Sequence, residues 1–239
     1  MRLGLLPAFL LVFACAQPAL VSSEPAPQTK QHTDEFPSPD RPVASIVASH
    51  SGSETSRDAA GEAEQTMDLL PLGNGVVVAD IGAGDGYFTT RLANRLGETG
   101  RVIATDVTPE YLEGLKQRVQ REGLTNVEFV LGGYDDPRLA AGSVDVALMV
   151  RMYHEIEQPY AFLWHLRDAL KAGGVVAVSE RDRPTQNHGI PPELLRCEFE
   201  AVGYEQIEIT QLGPGVGYLA LYQPTRPRPA PPDIVPCSD

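Results

Sequence analysis

One stretch of this chain has residue types and spacing that suggest chemistry directly: Asp80-Ile81-Gly82-Ala83-Gly84-Asp85-Gly86. Glycines at alternate positions let a turn adopt positive φ and let a ligand approach without meeting a Cβ. Where such a turn joins a strand to a helix N-terminus, backbone N–H groups can face a polar ligand. The carboxylate of Asp80 suits a ligand with positive charge better than it suits a pyrophosphate. Asp106 stands roughly 20 residues further on, the interval at which an acidic side chain hydrogen-bonds ribose hydroxyls; an Asp after a strand is also a common helix cap. Val107 follows it. Asp135-Asp136-Pro137 offers two more carboxylates, or simply an Asp-Pro turn. His154, between Tyr153 and Glu155, has the residue type of a general base; its bland alternative is a backbone hydrogen bond at a strand end. Glu180-Arg181 and His188 complete the candidates, as groups able to orient a polar acceptor. No Cys/His cluster has the sequence spacing of a metal site, so no metal is expected.

These residues need elements to hold them. Apolar runs predict strands at 76–81, 102–106, 127–131, 144–150 and 175–179, with 207–209 and 217–222 as a closing pair around Gly213-Pro214-Gly215. Helical spacing predicts helices at 87–96, 109–122, 159–170 and 191–202, with a further one within 58–70. Thr108-Pro109 suits a helix start, and Lys171-Ala172-Gly173-Gly174 reads as a glycine helix C-cap. Alternation of strand and helix, with strands apolar on both faces, indicates an α/β fold: a doubly wound, mostly parallel seven-stranded sheet of Rossmann-like type, ending in an antiparallel hairpin. In such sheets ligands bind beyond the C-terminal strand ends, where each candidate above lies.

A dinucleotide fingerprint would place its third glycine at position 87, but that residue is Tyr and the glycine is at 86. The Asp-x-Gly-x-Gly-x-Gly spacing instead resembles motif I of the class I S-adenosylmethionine-dependent methyltransferases. The resemblance covers about 69–222. It is closest to a branch with Tyr-His-Glu after the fourth strand, Asp-Asp-Pro after the third and Lys-x-Gly-Gly before the fifth. Several members of that branch carry export signals. The segment after the fifth strand departs from it, reading Arg-Pro-Thr-Gln-Asn-His-Gly where the branch is richer in Lys.

The resemblance implies S-adenosyl-L-methionine as cofactor and methyl transfer to an acceptor. It implies cofactor contacts from Asp80, Gly82, Ala83, Gly84 and Gly86. Asp106 would hold the ribose, Val107 would lie on the adenine, and Asp135 or Asp136 would face the adenine amino group. His154 and Tyr153 become the catalytic candidates; Glu155, Glu180, Arg181 and His188 fall on the substrate side. Two rival readings are an exported, non-catalytic binding protein on the same fold and an NAD(P)-dependent oxidoreductase.

The net charge of −13 disfavours a nucleic-acid surface, so a small-molecule acceptor is expected. Residues 1–21 read as a signal peptide or lipoprotein signal: Arg2 precedes an apolar run of about 14 residues, short of the roughly 20 a membrane span needs. Cys15 would carry any lipid anchor, and the expected location is exported, periplasmic or lipid-anchored. Composition assigns 22–57 to a disordered linker, 58–222 to the domain and 223–239 to a proline-rich tail. Cys197 and Cys237 remain to pair in an oxidising compartment, although sequence does not show that they come within bonding distance.

Overall fold

The computed structural model describes Met1 and residues 35–46 and 53–238. The rest of the segment read as an export signal, with Cys15, lies outside them. Two short helices precede the sheet, α1 (Glu54–Ala59) and α2 (Glu62–Asp68), where one helix within 58–70 is predicted. The expected alternation follows: β1 (Val77–Ile81), α3 (Tyr87–Leu96), β2 (Arg101–Asp106), α4 (Pro109–Arg121), β3 (Val127–Leu131), β4 (Val144–Val150), α5 (Pro159–Ala169), β5 (Leu170–Glu180), α6 (Pro192–Ala201), β6 (Glu205–Gln211) and β7 (Tyr218–Gln223). No helix of the described residues is long and apolar enough to cross a membrane.

The strands form one seven-stranded sheet in the order β3-β2-β1-β4-β5-β7-β6. β1 to β5 pair in parallel, and β7 runs antiparallel to β5 and β6. The order reverses between β1 and β4, so the chains leaving these two strands diverge and open a crevice at their C-terminal ends.

Side-chain alternation divides the core. Val78, Val146 and Leu148 face Met67, Phe88 and Leu92 of α2 and α3. Ala79, Ile81, Met149 and Val178 face Leu163, Leu166 and Phe199 of α5 and α6. Asp145 interrupts the apolar β4 run without penalty, because its Oδ2 accepts from Val77 N at 2.8 Å and Lys171 Nζ at 2.6 Å.

The predicted glycine C-cap of α5 is not one. The helix ends at Ala169, Leu170 is already extended, and Gly173-Gly174 lie within β5. There the β4–β5 register shifts between Val144 and Val146; paired glycines fit such an irregularity because they carry no side chain to pack.

Residues assigned by composition to the linker and tail pack onto the domain. Arg41 and Glu198 pair at 2.7 Å with both side chains fully buried, and Ala44 N donates to His154 O. At the other end, Trp164 Nε1 donates to Pro229 O, and Cys197–Cys237 forms a disulfide with Cα atoms 6.0 Å apart. A few large anchors and one covalent link hold segments whose average composition is that of a solvated chain.

Candidate active site

A cavity of about 860 Å³ opens at the β1/β4 divergence. Gly82, Ala83, Gly84, Asp106 and Val107 line one end; His154, Glu155, Arg181 and His188 line the other. Candidates as far apart as Gly82 and His188, 106 positions in sequence, therefore share one space, because the segments that carry them follow neighbouring strands.

The turn after β1 differs from a phosphate-binding loop. Gly82 N and Ala83 N both donate to Thr105 O, Gly84 N donates to Asp106 Oδ2 at 2.9 Å, and Gly86 N donates to Ala83 O. These four N–H groups serve the protein, so the expectation that they face a polar ligand is corrected. A pyrophosphate would find few donors here, which counts against the dinucleotide reading. What the turn offers is room. A Cβ built on Gly84 meets nothing within 4 Å, whereas one on Gly86 would stand 2.1 Å from Leu115 Cδ1. Gly84 borders the cavity; Gly86 is a packing glycine over α4.

Asp106 keeps both of its readings. Oδ1 accepts from Thr108 N at 2.9 Å and Oδ2 from Gly84 N, which fixes the carboxylate at the cavity wall. Each carboxylate oxygen retains a lone pair for a ligand hydroxyl. Asp80 lies behind the turn rather than on the wall. The pleat of β1 turns it towards α3, where Thr89 Oγ1 donates to it at 2.5 Å. Burial pushes its pKa up to about 6, against the Thr89 hydrogen bond. Asp135 and Asp136 do not line the cavity, although Tyr134 and Pro137 do. Asp136 Oδ1 accepts from Arg138 N at 2.7 Å, an Asp turn.

At the far end, β4 runs into a 3-10 turn, Tyr153–Glu155, that separates the two catalytic candidates. Tyr153 points away from the cavity into the core, fully buried against Phe199 and beneath Arg41. His154 points into the cavity. Its Nδ1 lies 2.8 and 3.0 Å from the two carboxylate oxygens of Glu180, which also accepts from Tyr153 N. Glu180 is fully buried and meets the cavity only through His154. The acidic partner keeps the proton on Nδ1 and leaves the Nε2 lone pair on the cavity side.

Several wall residues had no sequence signal. Arg57 lies in the stretch assigned to the linker; it pairs with buried Glu62 and stacks 3.6 Å over the Tyr87 ring. Arg151 also reaches Glu62, at 2.9 Å, and burial pushes its pKa down to about 10. Arg151 and His188 both hold positive φ, at 54° and 57°. Strained backbone of this kind collects at functional sites. Arg183 lines the wall near Arg181; burial, and then the Arg181 charge, hold its guanidinium below the usual range.

Residues 78–174 match the family model described as a methyltransferase domain. A tRNA U34 carboxymethyltransferase of Desulfotalea psychrophila is 28% identical over 150 residues, covering 63% of this chain and 44% of that protein. An arsenite methyltransferase of Halobacterium salinarum is 31% identical over 109 residues, covering 44% and 27%. The chain spans less than half the length of these curated relatives. Among solved structures, an S-adenosylmethionine-dependent methyltransferase from Aquifex aeolicus aligns with a TM-score of 0.62 and 26% identity, over 70% of this chain and 90% of that one.

Proposed function

We propose that this chain, which carries a class I S-adenosylmethionine-dependent methyltransferase domain, transfers a methyl group to a small anionic acceptor at the His154 end of its cavity. S-adenosylmethionine, when bound, supplies a methyl group already activated by a cationic sulfur. The residues present fit it: the open side of Gly84 leaves the approach clear, and Asp106 has lone pairs free for a ribose diol. The chain's task is then to hold donor and acceptor together, a proximity contribution. His154 Nε2 can take the proton of an acidic acceptor, with buried Glu180 stabilising the charge that results. Arg181 and Arg183 stand at the same end, where a bound anion would offset their mutual repulsion.

The observation that carries this reading is the single wall running from Gly84 and Asp106 to His154. Calorimetry with S-adenosylmethionine and S-adenosylhomocysteine tests it. Binding of both is expected, and a folded sample that binds neither would end the reading. The net charge of −13 supports a small acceptor over a nucleic acid.

The Cys197–Cys237 disulfide supports export, because such bonds persist in oxidising compartments. It also gives weight to a second reading, an exported binding protein that uses the same cavity without catalysis. Cell fractionation with mass analysis of the mature N-terminus checks export and any lipid at Cys15. Product formation over a panel of carboxylate, phenolate and neutral acceptors separates enzyme from binding protein.

A further inference from the structure

The acceptor end of the cavity brings His188 to the sequence neighbours His154 and Glu155, so that three metal-ligating side chains stand together. Glu155 Oε1 lies 3.9 Å from His154 Nε2 and 3.9 Å from His188 Nδ1, and one ligand atom from each residue falls within 4.8 Å of the others. We propose that His154, Glu155 and His188 form a binding site for one divalent transition-metal ion of the zinc class, facing the acceptor.

The donor set is two imidazoles and one carboxylate, the composition of open catalytic zinc sites and of other transition-metal centres that keep positions for substrate. Metal–donor bonds of roughly 2.0–2.2 Å put adjacent donors roughly 3.0–3.5 Å apart. The gaps here close to that range by modest side-chain rotation. His188 is free to make it: its side chain is 41% exposed, against 2% for His154 and 14% for Glu155.

Two independent observations point the same way. His154 is held as a ligand would be. The buried Glu180 carboxylate engages Nδ1 and turns Nε2 toward the other two groups, the carboxylate–histidine arrangement that orients metal-bound imidazoles. His188 Nδ1 is shielded from solvent and has no hydrogen-bond partner among the described residues, an unfavourable state for a buried nitrogen that coordination would relieve. The backbone at His188 is also pinned: it is left-handed, its carbonyl accepts from Arg183 Nε at 3.1 Å, and Ile190 N donates to Arg181 O.

The inference rests on the proposed methyltransferase reading for its role but not for its existence. Under that reading, an acceptor oxygen bound at the open positions becomes more acidic and releases its proton to solvent, and the metal takes the part otherwise assigned to His154. The acceptor class then narrows to anionic or chelating oxygen compounds, in keeping with Arg181 and Arg183.

The test uses the full chain without a polyhistidine tag. Zn²⁺ binding is measured by equilibrium dialysis, and Co²⁺ is titrated as a probe read by its visible absorption. One equivalent per chain and a new visible band are expected. His188→Ala and Glu155→Gln should each weaken binding at least tenfold with the thermal unfolding midpoint unchanged. Glu180→Gln should weaken it by about 10–100-fold through misorientation of His154. Failure of the parent chain to bind either ion, in a sample that still binds S-adenosylhomocysteine, overturns the metal site alone. Unchanged affinity in folded His188→Ala also overturns it. Metal binding without any S-adenosylhomocysteine binding keeps the site and removes the methyltransferase role.

Discussion

Gly84 donates its backbone N–H to Asp106 Oδ2 at 2.9 Å, tying the glycine turn after β1 to the acidic end of β2. The contact explains why the acidic residue and the glycines occur together. A carboxylate that also accepts from Thr108 N fixes two chain segments at once, and both border the cavity. One side chain thereby shapes the wall and presents lone pairs to whatever lies against it.

Asp106→Ala should therefore act twice. Loss of the carboxylate leaves Gly84 N and Thr108 N without their partner, at a cost to stability of about 1–3 kcal/mol. S-adenosylhomocysteine affinity should fall by a similar amount, on the order of 10–100-fold. Urea unfolding and calorimetry read the two effects separately. A stability loss with affinity unchanged to within a few tenths of a kcal/mol would make Asp106 a turn residue only.

Gly84 and Gly86 should fail in opposite ways. Gly84→Val places its side chain in the cavity, since a Cβ there meets nothing within 4 Å. It should abolish S-adenosylhomocysteine binding while costing the fold only the left-handed penalty of about 1–2 kcal/mol. Gly86→Ala drives a Cβ into buried Leu115, so overpacking of about 1–3 kcal/mol adds to a comparable backbone strain. Thermal unfolding should rank Gly86→Ala as the less stable protein. Calorimetry should rank Gly84→Val as the weaker binder. Equal binding by Gly84→Val and the parent would move the cofactor elsewhere.

Much of this was legible in sequence because parallel strands buried on both faces are apolar runs, and because strand ends in a doubly wound sheet converge. Asp80 to Gly86 and Asp106 were found that way. Their roles were coarser than the geometry: the pleat of β1 turns Asp80 behind the wall, and the 3-10 turn splits Tyr153 from His154. Asp136 serves a local turn that its sequence neighbours announced as clearly as any adenine contact. Arg57 was hidden by averaging, one cation at the edge of a polar stretch. The approach of His188 to Glu155 is a long-range contact across the loop after β5, and no local spacing encodes it.

The Cys197–Cys237 bond closes a loop 40 residues apart in sequence and fastens the tail where Cys237 N donates to Tyr160 Oη at 2.7 Å. Loop-closure entropy for that span corresponds to about 3–4 kcal/mol. Reduction with dithiothreitol should lower the urea midpoint of the parent chain and leave the Cys197→Ser/Cys237→Ser double variant unmoved. An equal shift in both would mean that the reductant acts somewhere other than this bond.

Asp80 gives the fold an unusual pH response. Its carboxyl is buried at 3% exposure, and burial raises its pKa to about 6 from an ordinary 3.8. The native state thus holds this proton more tightly than the unfolded chain does. Stability from the protonated form is fully present below the unfolded pKa and is lost as pH rises through about 6. Over that window the loss is on the order of 3 kcal/mol. Asp80→Asn cannot ionise, and its amide oxygen can still accept from Thr89. The difference in unfolding free energy between the variant and the parent, measured without cofactor from pH 4 to 7.5, should therefore grow in the variant's favour as pH rises. A difference that stays flat would show that Asp80 ionises at its usual pH despite its burial. A difference of the opposite sign would show that the anion is held by charges stronger than those around it here.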